Sequence, residues 1–130
     1  MIPVIQTIVS NAEGTIHGNC FAASIASVFE VPIEDVPKFQ DMGNIWFYDF
    51  FEYVTKKGYV FQGSLYDKEK ILSYDRGIDG FYIVNGKSPR GFVRGHSVVY
   101  FKGNLVHDPY PGGKGISELT SAFMIERNCP

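Results

Sequence analysis

The hydrophobic pattern of the chain is densest between Cys20 and Phe29, where Ala, Ile, Val and Phe take nearly every position. A helix that is apolar on all sides needs protein around most of its surface, so we expect this segment to be the central helix of the fold. Pro32 is expected to stop it, because the residue before a proline avoids the helical conformation. Cys20 would then stand in the first turn, where free backbone N–H groups and the helix dipole favour a thiolate.

A second helix is predicted from apolar residues that recur every three or four positions between Ile45 and Val54. Asn44 is expected to be its N-cap. Gly58 is expected to adopt the left-handed conformation after the last turn, where glycine is favoured.

Shorter patterns complete the chain. Residues 67–73 predict a short third helix with Ile71 and Leu72 facing inward, and residues 33–39 predict at most one helical turn. A tight hairpin turn is expected at Gly103. Runs of β-branched and aromatic residues predict strands over residues 59–62, 80–85, 96–102, 104–107 and 122–127, with residues 3–9 as an early strand or edge segment. Helices followed by an antiparallel sheet describe an α+β domain with the helices on one side.

The composition limits the classes of protein that this chain can represent. With 130 residues, of which 45% are hydrophobic, it is long enough for one core, and we expect a single domain over residues 1–130. Its formal net charge of -2, with both signs scattered, gives no indication of a nucleic-acid partner. No run reaches the roughly 18 to 20 apolar residues of a membrane helix, and the N-terminus does not resemble a signal peptide. A cytoplasmic protein with no membrane partner is therefore predicted.

The two cysteines, Cys20 and Cys129, predict neither a disulfide nor a metal site. A reducing cytosol disfavours the first, and the absence of a CxxC spacing disfavours the second. Cys129 is interpreted as a residue of the C-terminal tail. Cys20 is therefore the candidate nucleophile, for a chemistry that requires no metal and no organic cofactor.

A nucleophilic thiol needs a base, because a free thiol is mostly protonated at neutral pH. His96 begins one predicted strand and Asp108 follows the next, so a hairpin between the two strands puts His96 opposite residues 106–108. Asp108 or His107 could then reach the imidazole. We expect Asp108 to orient the ring while its other nitrogen faces Cys20. His107 should point away from Asp108, since neighbours on a strand alternate, and is interpreted as structural.

The motifs around these residues resemble a known family. They are Gly18-Asn19-Cys20 with its small-residue helix, Val31-Pro32-Ile33, Gly95-His96-Ser97 and Val106-His107-Asp108-Pro109. The combination is similar to the papain-like cysteine peptidase superfamily, with the bacteriocin-processing branch and small uncharacterised bacterial and phage proteins as the nearest groups. The resemblance spans residues 6–112. It implies a papain-like α+β fold, in which an N-terminal central helix carrying the cysteine packs on a C-terminal antiparallel sheet.

The same resemblance implies a role for each matching residue. Cys20 would be the nucleophile, His96 the general base and then acid, and Asp108 the residue that orients His96. In this superfamily a glutamine ahead of the cysteine helps to form the oxyanion hole. Gln6 is the matching glutamine, although it lies 14 positions ahead of Cys20, farther than the usual spacing. Asn19 is the competing donor, unless its side chain caps the helix.

Three further residues are candidates for substrate binding. Arg90 and Arg94, in the loop before His96, would favour a carboxylate or phosphate on the substrate. His17 could touch the substrate, or it could be a solvated loop residue. The loops over residues 85–94 and 109–115 would form the walls of a cleft, since loops carry much of the binding surface of a domain.

These observations predict a cysteine hydrolase or acyltransferase that acts on a peptide or small amide through a Cys-His-Asp triad and a thioester. The same triad supports peptide hydrolysis, deamidation and acyl transfer, and a fold does not choose among them. One alternative is a non-enzymatic binding or inhibitor protein, of phage or host-defence type, that keeps the fold and contacts a protein partner. Another is a structural domain in which Cys20 is only a packed side chain.

Overall fold

The computed structural model describes residues 1–11, 13, 15–90 and 95–128. Over these residues the chain forms three α-helices and five β-strands, joined by short 3-10 turns. The helices are α1 (Cys20–Phe29), α2 (Trp46–Lys56) and α3 (Lys68–Ser73), and the strands are β1 (Tyr59–Leu65), β2 (Phe81–Lys87), β3 (His96–Phe101), β4 (Asn104–His107) and β5 (Glu118–Arg127). The predicted α+β class is confirmed. None of the helices in this part of the chain has both the length and the apolar character needed to cross a membrane.

The strands form a sheet in the order β1-β5-β2-β3-β4, and every neighbouring pair is antiparallel. Strands β2, β3 and β4 follow one another as consecutive hairpins. Lys102 and Gly103 make the turn between β3 and β4 with φ values of 45° and 87°, the conformation that suits the twist of a two-residue hairpin. Strand β5 returns to lie between β2 and β1, in the interior of the sheet.

Both faces of the sheet are covered. Helices α1 and α2 pack on the face that carries Ile83, Val99 and Phe123, whereas Ile71 of α3 packs on the other face, beside Val84. The prediction that all helices lie on one side is therefore wrong. The reason is visible in β2 and β3, whose apolar residues are continuous rather than alternating, a pattern typical of strands buried on both faces.

Helix α1 has the predicted bounds and occupies the core, with Ala23, Ile25 and Ala26 fully buried. It ends at Glu30, which takes the left-handed conformation and donates its N–H to Ala26 O. The helix therefore ends at its C-cap Glu30, and Pro32 lies outside it. Its first turn, with Cys20, points to the end of the sheet where β3 begins.

The N-terminal segment over residues 3–9 is not a strand, so the first of its two predicted forms is wrong; it is an irregular segment that lies against the rest of the domain. Side chains bind its backbone groups in place of a strand ladder: Val4 N–H donates to Ser27 Oγ at 2.9 Å, and His107 Nε2 donates to Val4 O at 2.7 Å. Gln6 N–H donates to Pro109 O at 2.9 Å. The segment is therefore held between α1 and the end of β4, and His107 has the structural position expected for it.

Two details of the other helices also differ from the predictions. Asn44 does not cap α2, because it lies inside a 3-10 turn over Gly43–Ile45 that runs directly into Trp46. Leu72 is 38% exposed while Ile71 is fully buried, since a helix of six residues turns only one narrow face to the sheet. Gly58 has the expected positive φ, 86°.

Phe50 is the aromatic side chain on which the α2 side of the core depends. It is fully buried, and its ring lies 5.2 to 5.3 Å from those of Phe21, Phe61 and Phe123. We expect Phe50→Ala to lower the free energy of unfolding by about 3–5 kcal/mol, measured by urea denaturation, because it leaves a cavity in a packed core. The control Tyr48→Ala, at a position 77% exposed, should change it by no more than about 0.5 kcal/mol. Equal effects of the two substitutions would contradict this role of Phe50 in the core.

Candidate active site

The structure brings His96 and Asp108 into direct contact. His96 is the first residue of β3, Asp108 follows the last residue of β4, and His96 Nε2 lies 2.6 Å from Asp108 Oδ1. The side chains are 1% and 7% exposed, respectively. This is a buried, charge-assisted hydrogen bond, the stronger class of protein hydrogen bond.

A β-bulge at Val106 decides which way Asp108 points. Near the turn Tyr100 pairs with Leu105, but the next pair is Val99 with His107, so Val106 is the extra residue. Facing residues of a ladder point to the same side, and a shift of one residue reverses that side. Continued along the strand, the shifted register puts Asp108 on the side of His96, and it leaves His107 on the side of α1.

The loop after β4 folds back around the Asp108 carboxylate. Tyr110 N–H donates to Oδ1 at 2.9 Å and Gly115 N–H donates to Oδ2 at 2.8 Å. A Cβ atom on Gly113 would lie 2.2 Å from Oδ2, so this close approach requires a glycine. Burial alone would raise the pKa of Asp108, but the hydrogen bonds from His96 and from the two backbone N–H groups lower it below its usual value.

Cys20 is the third member of the candidate triad, beside His96 and Asp108. It is the first residue of α1, a free and half-buried cysteine. Burial by itself lowers the pKa of the His96 imidazole, but hydrogen bonding to Asp108 and to Cys20, together with their charges, raises it to about 9. The ring nitrogen Nδ1 is buried and has no partner of regular hydrogen-bond geometry among the described residues. Besides Asp108, Cys20 is the titratable neighbour that acts on this ring.

Asn19, one of the two predicted oxyanion donors, is occupied by the N-terminal segment. Its Oδ1 accepts the N–H groups of Thr7 and Ile8 at 3.0 and 2.9 Å, and its Nδ2 donates to Thr7 Oγ1 at 2.8 Å. The side chain does not cap α1. Asn19 instead closes the loop between the N-terminal segment and α1, and Gly18 assists by donating its N–H to Ser10 Oγ at 2.8 Å.

Gln6, the other predicted donor, lies buried beside the start of α1. Its Nε2 donates to Ile8 O at 2.8 Å, and the same oxygen accepts the N–H of Asn19 at 3.1 Å. The Gln6 amide therefore meets the N–H of Asn19, the residue before Cys20, at one carbonyl oxygen. Each of the two candidate amides uses a donor hydrogen within the protein, Gln6 on Ile8 O and Asn19 on Thr7 Oγ1, and the preference for Gln6 over Asn19 stays a prediction.

Two cavities flank the candidate triad. The first, the aromatic groove, has a volume of about 580 Å³ and is lined by Phe21, next to Cys20, and by Gly95 and Ser97, on either side of His96. Its other aromatic walls are Phe39, Trp46 and Phe123. The second, the loop cavity, has a volume of about 310 Å³ and lies between residues 88–90, which follow β2, and residues 110–115, which follow β4; both stretches belong to the loops predicted to form a cleft.

The three predicted substrate-binding residues differ in their positions relative to the two cavities. Arg90 lies near His96 and Asp108 and lines the loop cavity with them. His17 is exposed on the loop before α1 and lines neither the aromatic groove nor the loop cavity. Arg94 and Cys129 lie outside the described residues. Within the described residues no group of three or more His, Cys, Asp or Glu side chains could hold a metal ion.

Comparison of the chain with protein-family models, with curated proteins and with solved structures found no match. The function is therefore inferred from the geometry of the site.

Sequence reasoning missed the groups that hold the site together. It did not identify Thr7 as a partner of Asn19, nor Tyr110 and Gly115 as donors to Asp108. One signal was present: two consecutive glycines, Gly112 and Gly113, follow an Asp-Pro pair, and such glycines permit a loop to approach a side chain closely. The bonds of Asn19 to residues distant in sequence left no local signal.

The raised pKa of His96 has a consequence for stability at different pH values. Because the folded pKa, about 9, exceeds the ordinary value of 6.5, the stabilisation from the charged ring is complete below about pH 6.5 and is lost as the pH rises through about 9. Asp108→Asn keeps a polar partner but removes the negative charge. We expect it to lower the pKa of His96, followed by NMR of the ring, and to reduce the loss of stability between pH 6.5 and 9 in urea denaturation.

Asp79→Asn is the matched control, because Asp79 is an exposed carboxylate paired with Arg127. It should leave both the His96 titration and this part of the stability profile unchanged. An unaltered His96 pKa in Asp108→Asn would show that the contact at 2.6 Å does not govern the ring.

Proposed function

We propose that this protein is a cysteine-dependent hydrolase or acyltransferase that acts on a peptide or amide bond, and that its fold is of the papain-like type. The observation that carries the proposal is the single imidazole of His96, which binds Asp108 through Nε2 at 2.6 Å and has Cys20 as its other charged neighbour. A nucleophile, a base and a group that orients the base are the parts of a catalytic triad. A cytoplasmic location and a bacterial or phage source remain predictions from the sequence.

In the proposed mechanism, Cys20 and His96 form a thiolate and imidazolium pair before the substrate binds. The thiolate attacks the substrate carbonyl and forms a C–S bond. His96 then gives its proton to the leaving nitrogen, the C–N bond breaks, and an amine departs from a thioester on Cys20. Water, or another acceptor, gives its proton to His96 and attacks the thioester; the C–S bond breaks, the acyl product leaves, and the thiolate and imidazolium pair is restored. Asp108 keeps the ring in place and stabilises its charged form throughout.

The negative oxygen that forms during each attack requires donors in fixed positions. The backbone N–H of Cys20 is in the first turn of α1, where the helix itself supplies no acceptor. The Gln6 amide, which meets the N–H of the preceding residue Asn19 at Ile8 O, is the proposed second donor. Because Asn19 binds Thr7 and Ile8, it acts in this proposal as a positioning residue for Gln6 and does not contact the substrate.

The aromatic groove is the proposed binding site for the acyl side of the substrate. It adjoins Cys20 through Phe21 and adjoins His96 through Gly95, so a chain bound along it would bring its carbonyl carbon to the thiolate. Its aromatic walls favour an apolar side chain, since burial of apolar surface is the main source of affinity in such sites.

Selective alkylation of Cys20 tests the proposal. At neutral pH we expect iodoacetamide to modify Cys20 at least about tenfold faster than Cys129, because an imidazolium partner makes the Cys20 thiol more reactive than an ordinary thiol. His96→Ala should remove the difference, measured by mass spectrometry of the digested protein over time. His17→Ala, which changes an exposed histidine of the preceding loop, is the control and should keep it. Slow and equal labelling of both cysteines would overturn the proposed mechanism.

Removal of the Gln6 amide tests the proposed oxyanion donor. Gln6→Ala should slow the acylation of Cys20 by p-nitrophenyl acetate about 10²- to 10³-fold, the usual effect of losing one such donor. Alkylation by iodoacetamide forms no oxyanion and should proceed at the wild-type rate. Gln62→Ala, at an exposed position of β1, is the matched control. Equal acylation rates in the wild type and in Gln6→Ala would eliminate Gln6 as the donor.

A binding protein without catalysis is the second candidate function, and one observation favours it. The outer side of α2 and the residue before it expose large apolar side chains: Ile45 is 61% exposed, Tyr48 77% and Phe51 50%. Contiguous exposed apolar surface is typical of contacts with partners. The alkylation experiment separates the two functions, because a protein that only binds a partner has no need for a reactive Cys20.

A further inference from the structure

The loop cavity lies beside His96 and Asp108, next to the candidate triad. His96 and Asp108 line it, together with Arg90 and Tyr110, whereas Cys20 does not. In the proposed function His96 donates a proton to the leaving amine, so the amine has to stand beside its ring. The walls of the cavity indicate the chemical class of that amine, an inference that rests on the proposed function.

Arg90 is held in this cavity in a fixed position. Its Nε donates to Ser88 Oγ at 3.1 Å, and its guanidinium carbon lies 3.7 Å from the centre of the Tyr110 ring. The terminal nitrogen Nη1 is buried and has no hydrogen-bond partner among the described residues. A buried guanidinium nitrogen without an acceptor is costly, and an anionic ligand is the partner that its geometry suits best.

The charged side chains that line the cavity have an excess of positive charge, which also favours an anionic ligand. Asp108 is the carboxylate among its described lining residues, and His96, Tyr110 N–H and Gly115 N–H already occupy its oxygens. The charged His96 and Asp108 cancel one another. Arg90 and Lys114, which also lines the cavity, have no salt bridge to a carboxylate in the described part of the chain. Two basic residues therefore line a cavity in which the described carboxylate, Asp108, is already paired.

The geometry points to a subsite for a free α-carboxylate on the leaving group, so that the bond cleaved is one close to the C-terminus of a peptide. The amine that His96 protonates and the carboxylate that Arg90 binds would belong to the same released amino acid or short peptide. The volume of about 310 Å³ is at the lower end of the range for ligand pockets, which suits a leaving group of one or two residues. Water supplies the OH that completes the acyl product, and the C–N bond is the bond that breaks.

Binding of a model leaving group tests this subsite without requiring turnover. The probes are glycylglycine, which has a free carboxylate, and its C-terminal amide, titrated into the whole protein while the NMR signals of the His96 ring are followed. We expect the free acid to shift these signals and to bind at least about tenfold more tightly than the amide, because the charge-assisted hydrogen bond from Arg90 Nη1 to the carboxylate is lost in the amide.

Arg90→Gln should reduce the affinity for the free acid to that for the amide. Lys114→Gln, at an exposed position that tolerates substitution, should reduce it by a smaller factor, which keeps the test valid if Arg90→Gln does not fold. Arg76→Gln changes an exposed arginine outside the cavity and should have no effect. Equal binding of the acid and the amide, or no binding of either, overturns the subsite. The proposed function is judged separately, by the alkylation rate of Cys20 without ligand.

Discussion

The hydrogen bond between His96 and Asp108 is the contact on which the rest of the candidate site depends. Two ionisable side chains that are 1% and 7% exposed remain charged in a folded protein only when each has a partner. Asp108 obtains three donors, from His96 and from Tyr110 and Gly115 of the loop that folds around it. His96 obtains a fixed ring orientation that leaves its second nitrogen for Cys20. The start of β3, the end of β4 and the start of α1 are therefore coupled through one imidazole.

The N-terminal segment is the second element that this arrangement requires. It has no regular secondary structure, yet three different parts of the fold hold its backbone: Ser27 of α1, His107 of β4 and the Asn19 side chain before α1. These bonds fix the position of Gln6, whose amide shares the acceptor Ile8 O with the N–H of Asn19. A distance of 14 positions along the chain thus becomes a short distance in space, and the proposed oxyanion site is built from segments that are far apart in sequence.

The two cavities beside the candidate site differ in size and in the chemistry of their walls. The aromatic groove, beside Phe21, has apolar walls and a volume of about 580 Å³, whereas the loop cavity, beside Arg90, is smaller and positively charged. A substrate that spans both would place an apolar part on the acyl side and an anionic part on the side of His96. The proposed preference for a terminal bond follows from that anionic part, since the C-terminus of a peptide carries a free carboxylate.

The sequence by itself determined the elements with strong local patterns. The bounds of the helix that begins at Cys20, the hairpin between β3 and β4, and the presence of His96 and Asp108 at its two ends all follow from apolar periodicity and turn residues. Only the tertiary structure decided that α3 covers the second face of the sheet, that a bulge at Val106 turns Asp108 toward His96, and that Asn19 binds the N-terminal segment instead of capping α1. The physical reason is the range of the interactions: periodicity and turn chemistry act between near neighbours, whereas a strand register and a side-chain clamp depend on which distant segments meet.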